Sequence, residues 1–422
     1  MINSFYESNK DKKMIKQVIL GLSLPVLLFS ESLNGLIEMS LKNKNIMSSQ
    51  NSIESIQEEY KSVKKGYLPN ISVGGAYTDV SHETSSYANN SLNAYVDVSY
   101  SLYDGGKKDL TYKSYESQIK ASEEDLSTLQ NQVSLDVIEH YFNYLTYTAQ
   151  KEAKLKEIEQ LSAQHKRLSK FFDAGTTTID ELDRIVSNLE SANVELHELD
   201  LNIQTVLHEL EYITGKRVDI NSGSYIKLID EENELRNDIR ALEHTVQTKL
   251  INAKNVKTDD NLQVTLDNKF TYYDHNYENS TYADSAIDEQ NIFSVNLSWN
   301  LYDFGSTESA YDSAYKSFLS IKSKFEYEKN KASIDLDLAL KSYEIAKLKI
   351  KSAEAALRAA ISTYDVTKNK YENGLVDNVS YLESLSDKSD AQSSLSAAKY
   401  NLEVRKANLI YQKGKNVWEY VK

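Results

Sequence analysis

Four segments of the chain alternate apolar and polar residues with a period of two, which is typical of β-strands with one apolar face. They cover residues of about 71–80, 92–103, 261–273 and 291–302. A strand of roughly 10 residues can cross a bilayer when tilted, with lipid on its apolar face and water on its polar face. A half-buried sheet of a soluble protein would show the same alternation, so the pattern alone leaves both interpretations open.

The segments that connect these strands favour the membrane interpretation. Residues 81–91 and 273–291 are rich in Ser, Asn, Asp and Tyr, as expected for exposed hairpin loops. Four strands cannot close a barrel, and an open sheet edge does not persist in lipid. Membrane-spanning strands would therefore need further chains to complete a shared barrel. Aromatic residues near the predicted strand ends suit a lipid–water interface: Tyr100, Tyr103, Tyr272, Trp299 and Tyr302.

The longest helical patterns exceed what a globular domain needs. No proline or glycine occurs between Gly106 and Gly175, or between Gly305 and Gly374. At ~1.5 Å per residue, each stretch can form a helix of roughly 100 Å. Apolar residues spaced by three and four positions predict coiled-coil packing of the returning helices. The sequence thus predicts long helices at about 106–173, 178–214, 305–372 and 378–412.

The chain also repeats itself at a constant offset of 199 residues, from 102 to 301 and from 175 to 374. The motif Leu-Tyr-Asp-Gly-Gly at 102–106 returns as Leu-Tyr-Asp-Phe-Gly at 301–305. Separated landmarks that keep one offset indicate a duplicated architecture. Residues 31–230 and 231–422 are therefore predicted to be two repeats, each with a helix, two strands and two long helices.

The N-terminus has the pattern of an export signal. Lys10, Lys12, Lys13 and Lys16 precede an apolar run from Val18 to Phe29. This run of ~12 residues is too short for a spanning helix of ~20. Residues 1–30 are accordingly predicted to be a signal peptide, with Met1 or Met14 as the start.

Composition excludes several function classes. The formal net charge of -15 argues against nucleic acid as a partner, because phosphate binding requires clustered Lys and Arg. The seven histidines have no ligand spacing and the chain has no cysteine, so no metal site is expected. No catalytic signature, phosphate loop or dinucleotide fingerprint occurs. We expect neither an enzyme nor a cofactor.

Taken together, these features resemble the TolC-type outer-membrane efflux channels. The likeness spans nearly the whole chain after the leader. It rests on Gly-Tyr-Leu-Pro at 66–69 before the first strand, on the duplicated Leu-Tyr-Asp-x-Gly motif, and on Ile-Thr-Gly-Lys at 213–216. The motif places strand-to-helix junctions at Asp104, Gly106, Asp303 and Gly305. Gly175 and Gly374 match the tips of the family's two helical hairpins.

The resemblance implies a mixed α and β membrane protein that assembles as a homotrimer in the outer membrane of a Gram-negative bacterium. Four strands from each copy would form a shared barrel, and the helices would continue it as a coiled-coil tunnel in the periplasm. It also implies a passive duct of a tripartite efflux or type I secretion system. The partners would be a periplasmic adaptor (membrane fusion) protein, an inner-membrane RND or ABC transporter, and outer-membrane lipid.

The resemblance further implies a gate at the periplasmic end of the tunnel. Tyr371 falls on the family's gate tyrosine, and its partner would be Asp180 or Glu181. Val376 stands where an arginine lock is found, and Glu383 retains one of two acidic positions. A ring of carboxylates would favour cations. Each of these side chains is also explained as an exposed helix end, for example by N-capping through Asp180.

Two other protein classes would explain part of the sequence pattern. A periplasmic tether built from coiled coils would explain the helices but would leave the strand pairs unexplained. A periplasmic adaptor also combines a helical hairpin with strands, but it usually has Gly- and Pro-rich domains. This chain has 13 glycines and 2 prolines.

Overall fold

The structure, a computed structural model, describes residues 30–228 and 232–422. The predicted signal peptide lies outside these residues except for Ser30, which pairs with Asp219 in a short parallel ladder.

Long helices dominate the described chain, because stretches without proline or glycine allow uninterrupted helical hydrogen bonding. The two longest have 67 residues each, which corresponds to roughly 100 Å. The helices are α1 (Leu33–Ser40), α2 (Lys44–Gly66), α3 (Lys107–Asp173), α4 (Ile179–Thr214), α5 (Asn237–Val256), α6 (Ser280–Ala283), α7 (Ser306–Glu372) and α8 (Asn378–Gln412). Two 3-10 turns lie at Lys257–Asp260 and Val417–Tyr420.

The strands form one antiparallel sheet and one small parallel ladder. They are β1 (Ser30–Glu31), β2 (Asn70–Asp79), β3 (Asn90–Asp104), β4 (Asp219–Ile220), β5 (Gln263–Asn276) and β6 (Glu289–Ser298). The sheet order is β2-β3-β5-β6, while β1 pairs with β4. β6 ends at Ser298, before the predicted position 302. Ser298 pairs with Gln263, the first residue of β5, so β5 offers no partner to the residues that follow.

The predicted duplication is present in the fold. Each repeat has a helix, two strands, a 67-residue helix and a shorter return helix, in that order. α3 begins at 107 and α7 begins at 306, so the offset found in the sequence is retained.

The helices lie side by side in a fixed order. Near the sheet, α2 packs against α3, α3 against α5, and α5 against α7. Near the hairpin tips, α4 packs against α3, α3 against α8, and α8 against α7. One side of the layer is therefore formed by α2 and α4, and the other side by α7.

Two separate apolar cores stabilise this layer. The main core surrounds the middle of α3, where Tyr141 and Phe142 are fully buried against α1, the ends of α4 and α8, and the C-terminal segment. A smaller core near the hairpin tips contains Leu161, Leu168, Ile185 and Leu385.

Candidate functional site

One face of the antiparallel sheet is apolar and exposed. Cross-strand partners share a face, and the register joins Val73 to Val96 and Val96 to Phe270. Leu266 likewise lies opposite Val295. Val73 is 77% exposed, so this face does not serve as the core of a soluble sheet. A bulge between Ser101 and Tyr103 changes the alternation at the end of β3. Regular alternation would place Leu102 on the apolar face, but the bulge places Tyr103 there instead, opposite Val264.

The opposite face of the sheet is polar. Asp97 on β3 lies opposite Lys269 on β5, and the Lys269 ammonium lies 4.1 Å from the centre of the Tyr95 ring. The Tyr95 ring covers Gly74, where a Cβ atom would come within 2.6 Å of the ring. On β6, the Asn296 amide donates a hydrogen bond of 2.7 Å to Asp267. This arrangement fits a face in contact with water.

The two strand-to-helix junctions use the same hydrogen bonds. Asp104 accepts hydrogen bonds from the backbone amides of Gly106 (3.2 Å) and Lys108 (2.7 Å). Asp303 accepts them from Gly305 (3.0 Å) and Thr307 (2.6 Å). Each carboxylate thus satisfies amides that the first turn of a helix leaves free. At the second junction, hydrogen bonding from the Thr307 hydroxyl, followed by the backbone bonds from Thr307 and Gly305, lowers the pKa of Asp303.

The junctions differ at the residue between the aspartate and the glycine. Gly105 and Phe304 both have a positive φ, of 74° and 59°. A Cβ at Gly105 would lie 2.6 Å from the Asn261 Cβ and 2.9 Å from the Thr258 carbonyl oxygen. Phe304, by contrast, is 88% exposed. The turn before β5 therefore requires glycine at the first junction, while the second has room for a side chain.

We expect Gly105→Ala to lower the free energy of unfolding by about 2–3 kcal/mol, through left-handed backbone strain and overpacking against Asn261. Phe304→Ala is the matched control, because it keeps a Cβ where one is already accommodated. Thermal unfolding of the two variants measures the difference. Equal melting temperatures would contradict the steric explanation.

The aromatic residues predicted at a membrane interface lie at both ends of the sheet. Tyr100 and Tyr103 are near the helices, and the Trp299 indole donates a hydrogen bond of 3.0 Å to the Asp260 carbonyl. Tyr302 packs against Phe304 with ring centres 4.7 Å apart. Tyr272 lies near the hairpin-loop end of β5.

The two hairpin tips have the same backbone geometry. Gly175 and Gly374 have φ values of 70° and 69°, which favour glycine. The amide after each glycine bonds back to a carbonyl five residues earlier, from Thr176 to Phe171 and from Leu375 to Lys370, both at 2.8 Å. These are helix C-terminal motifs that end α3 and α7 sharply.

Tyr371 lies in a side-chain network that joins the two hairpins. The Gln164 amide on α3 donates a short hydrogen bond to the Tyr371 hydroxyl and a 3.3 Å bond to Asn378 on α8. The Tyr371 ring stacks on Tyr381 at 5.0 Å between centres. Burial is the largest cause that raises the pKa of Tyr371, and the nearby Glu181 carboxylate adds to it. Sequence reasoning missed Gln164, because a lone glutamine in a helix has no distinguishing pattern.

Within the described residues, the other predicted gate residues make no hydrogen bond to Tyr371. Asp180 and Glu181 occupy the first turn of α4, after the N-cap residue Thr178. Asp180 is exposed, and Glu181 accepts a hydrogen bond of 2.7 Å from the Thr177 hydroxyl. The N-cap of α8 is Asp377, which was not among the predicted gate residues. Its carboxylate accepts a hydrogen bond of 2.9 Å from the Ser380 backbone amide.

Glu383 lines a groove of about 540 Å³ between α3, α4 and α8. The groove also contains Lys154, whose ammonium contacts Glu157 at 2.8 Å and Glu195 at 2.7 Å. Burial would lower the pKa of Lys154, but the hydrogen bonds to both carboxylates give a net rise. The ion cluster therefore stays charged and ties α3 to α4.

Within residues 30–228 and 232–422, no helix has the length and apolar character needed to cross a membrane. In the same described part of the chain, no group of three or more His, Cys, Asp or Glu side chains is arranged to hold a metal ion.

The sequence matches the model of the family described as Outer membrane efflux protein over residues 36–216 and 228–412. No curated protein matches it. The structure is similar to that of the outer membrane protein VceC from Vibrio cholerae, with a TM-score of 0.80, 16% identity, and coverage of 91% of this chain and 96% of VceC. It is also similar to the CmeC outer membrane channel of Campylobacter jejuni, with a TM-score of 0.79, 18% identity, and coverage of 90% and 85%. The open state of the MtrE outer membrane channel from Neisseria gonorrhoeae gives a TM-score of 0.73, 16% identity, and coverage of 91% and 89%. These likenesses show a shared fold.

Proposed function

Because the chain belongs to the outer membrane efflux protein family, we propose that it forms the outer-membrane channel of a tripartite efflux or type I secretion system. The active form is a homotrimer in a Gram-negative outer membrane, with its helices in the periplasm. An inner-membrane RND or ABC transporter supplies the energy, and a periplasmic adaptor protein connects the two. The channel itself is a passive exit duct.

The observation that carries this proposal is the arrangement of unpartnered edges. The sheet has two open edges, β2 and β6. The helical layer has two open sides, formed by α2 with α4 and by α7. β2 follows α2 in the chain, and β6 precedes α7. The open sheet edge at β2 therefore lies on the same side of the chain as α2, and the open edge at β6 lies on the same side as α7. Head-to-tail copies can therefore close the sheet and the helices in one ring. Three copies with four strands each give twelve strands, an even number that keeps all neighbours antiparallel.

The surface of α7 supports contact with a second copy. Ile334, Leu338, Ile345 and Leu348 are more than half exposed and follow the spacing of a coiled-coil seam. Exposed apolar residues also lie on α4, at Val194 and Leu201. Such stripes mark interaction surfaces when they are contiguous.

Charge complementarity points to the same pairing. α4 carries nine Asp or Glu residues and one arginine. Residues 341–358 of α7 carry five Lys or Arg and two Glu. An acidic α4 beside a basic α7 from the next copy lowers like-charge repulsion in the ring.

In the closed ring, the polar face of the sheet lines the pore and the apolar face contacts lipid. Asp97, Asp267 and Lys269 then lie in the barrel lumen. The hairpin tips form the periplasmic entrance, where Tyr371, Asp180, Glu181 and Glu383 constitute the gate. Tyr100, Tyr103, Tyr272, Trp299 and Tyr302 hold the barrel at the two membrane interfaces.

Cysteine cross-linking between the sheet edges tests the shared barrel, since the natural chain has no cysteine. Ser72→Cys on β2 is combined in turn with Ser294→Cys, Asn296→Cys or Ser298→Cys on β6, all on the polar face. A disulfide forms only when the two Cβ atoms approach within about 4.5 Å. We expect at least one pair to give covalent dimers and trimers in outer-membrane fractions.

Each single-cysteine variant is the control and should remain monomeric on a denaturing gel. The native mass of the detergent-extracted species should be about three times the chain mass of 48.0 kDa, less the leader. A soluble periplasmic monomer without cross-links would contradict the channel and would favour the tether.

A further inference from the structure

The end of α2 and the start of α3 carry an unusual concentration of positive charge. Residues 60–67 and 105–115 contain six lysines and a single acidic residue, Asp109, although the whole chain has a net charge of -15. The six are Lys61, Lys64, Lys65, Lys107, Lys108 and Lys113. We call this group the lysine collar.

The second repeat shows that the fold does not require these lysines on α3. At the constant offset, the positions of Lys107, Lys108 and Lys113 are occupied by Ser306, Thr307 and Asp312. Both helices have the same length and the same capping aspartate at the junction. Cations in the first turn of a helix also oppose the helix dipole. Lys107 and Lys108 therefore lower the stability of α3 at a place where α7 has uncharged residues.

Two of the collar lysines, Lys64 and Lys108, contact tyrosine rings rather than carboxylates. The Lys64 ammonium lies 4.1 Å from the centre of the Tyr60 ring. The Lys108 ammonium lies 5.6 Å from the Tyr67 ring and 5.9 Å from the Tyr112 ring. The Tyr112 ring packs edge-on against both Tyr60 and Tyr67. Aromatic faces orient an ammonium without neutralising it.

Four of the collar lysines keep their charge available to a ligand. Lys61 pairs with Glu58, and Lys107 pairs with Asp259 at 2.8 Å. Among the described residues, no carboxylate lies within 4.0 Å of Lys64, Lys65, Lys108 or Lys113, whereas other lysines of the chain form such pairs.

The collar directly adjoins the apolar face of the sheet. Tyr67 is followed by Leu68, which is 63% exposed, and by Ile71 on the apolar face of β2. A molecule with an anionic head and an apolar tail would place its head against the lysines and its tail along β2. Lysine clusters beside a membrane-embedded segment favour anionic lipids in this way.

From this geometry we propose that the lysine collar binds the phosphate headgroups of anionic phospholipids in the leaflet next to the helices. The proposal rests on the proposed function, because it needs the apolar face of the sheet to lie in a bilayer. It assigns a lipid-binding site to residues that lie outside the pore and the gate.

The test uses the purified oligomer in a neutral detergent, titrated with phosphatidylglycerol or with phosphatidylcholine, and read out by thermal shift and by native mass spectrometry. We expect phosphatidylglycerol to bind and stabilise the wild-type protein more than phosphatidylcholine does. The variant combines Lys64→Gln, Lys65→Gln, Lys108→Gln and Lys113→Gln. Its affinity for phosphatidylglycerol should fall on the order of tenfold or more. The matched control removes four exposed lysines further along α3: Lys120, Lys156, Lys166 and Lys170.

Each of the following outcomes would overturn the proposal: equal affinity of variant and wild type, an equal loss in the control, or no preference for phosphatidylglycerol. Inorganic phosphate is titrated in parallel, and the same stabilisation by phosphate alone would refute a lipid site. Oligomer mass and membrane insertion are measured in the same samples. A wild-type protein that inserts as a trimer without lipid preference refutes only the collar, whereas a wild-type protein that does not insert refutes the proposed function.

Discussion

Tyr371→Phe is expected to raise the conductance of the protein in planar bilayers, and the combination with Asp180→Ala is expected to raise it at least as much. Phenylalanine removes the hydroxyl that accepts the hydrogen bond from Gln164, while the ring can still stack on Tyr381. A hydrogen bond contributes about 1 kcal/mol, so the three copies of the proposed trimer together lose roughly 3 kcal/mol of stabilisation of the closed tip. That corresponds to a change on the order of 100-fold in the ratio of closed to open channels.

Further variants separate the contributions at the tip. Gln164→Met should raise the conductance at least as much as Tyr371→Phe, because it removes this bond and also the bond to Asn378. Adding Tyr371→Phe to Gln164→Met should change little, because the bond between the two residues is already lost. Tyr343→Phe on the same helix is the control, since its hydroxyl makes no hydrogen bond within the described residues. Asp180→Ala alone measures any bond supplied by a neighbouring copy. If neither Tyr371→Phe alone nor Tyr371→Phe combined with Asp180→Ala changes the conductance, the assignment of the gate is refuted.

The raised pKa of Tyr371 adds a pH criterion. Burial disfavours the charged phenolate, so the hydroxyl stays protonated above its usual pKa of about 10. The bond between Gln164 and Tyr371 is between neutral groups. We therefore expect this contribution to gating to be constant between about pH 6 and pH 8. A steep change in the effect of Tyr371→Phe over this range would point to a carboxylate or histidine partner.

Leu338→Asp combined with Leu348→Asp is expected to dissociate the oligomer. Both side chains are more than half exposed in the single chain, at 56% and 61%, and lie on the α7 seam. If the seam packs against α4 of the next copy, each substitution loses about 2 kcal/mol of apolar burial and places a charge in the contact. With three interfaces the ring is expected to fall apart. Native mass spectrometry of the detergent extract measures the loss of trimer.

Leu340→Asp is the matched control for the seam. It makes the same chemical change on the same helix but lies about 120° around the axis from the seam. We expect this variant to remain trimeric. Dissociation by Leu340→Asp, or a stable trimer in the double variant, would show that another face of α7 forms the contact.

Much of the architecture could be predicted from the sequence because its signals are long. Residues 107–173 and 306–372 contain no proline or glycine, so their helices extend until Gly175 and Gly374 permit a turn. The strands were predicted from alternation, and the register confirms one apolar face and one polar face. The constant offset predicted two equivalent strand-to-helix junctions, and in the structure Asp104 and Asp303 accept equivalent capping hydrogen bonds.

Features that depend on contacts between distant residues could not be predicted. Gln164 meets Tyr371 only because α3 and α7 lie on either side of α8, at a separation of 207 positions. The bulge that turns Tyr103 toward the apolar face depends on its pairing with Val264. The predicted roles of Tyr371, Asp180, Glu181 and Glu383 in a gate depend on a neighbouring copy and stay predictions.

The separation of the two apolar cores has a consequence for how the molecule fluctuates. The main core around Tyr141 lies far from the tips, whereas the core around Leu168 is smaller and is joined by polar links. Regions with fewer buried apolar contacts undergo sub-global opening at a lower free energy than complete unfolding. Amide hydrogens near Gly374 should thus exchange with solvent much faster than those around Tyr141. The hairpin tips are therefore expected to open and close locally many times during the lifetime of one folded molecule, while the middle of the bundle stays folded.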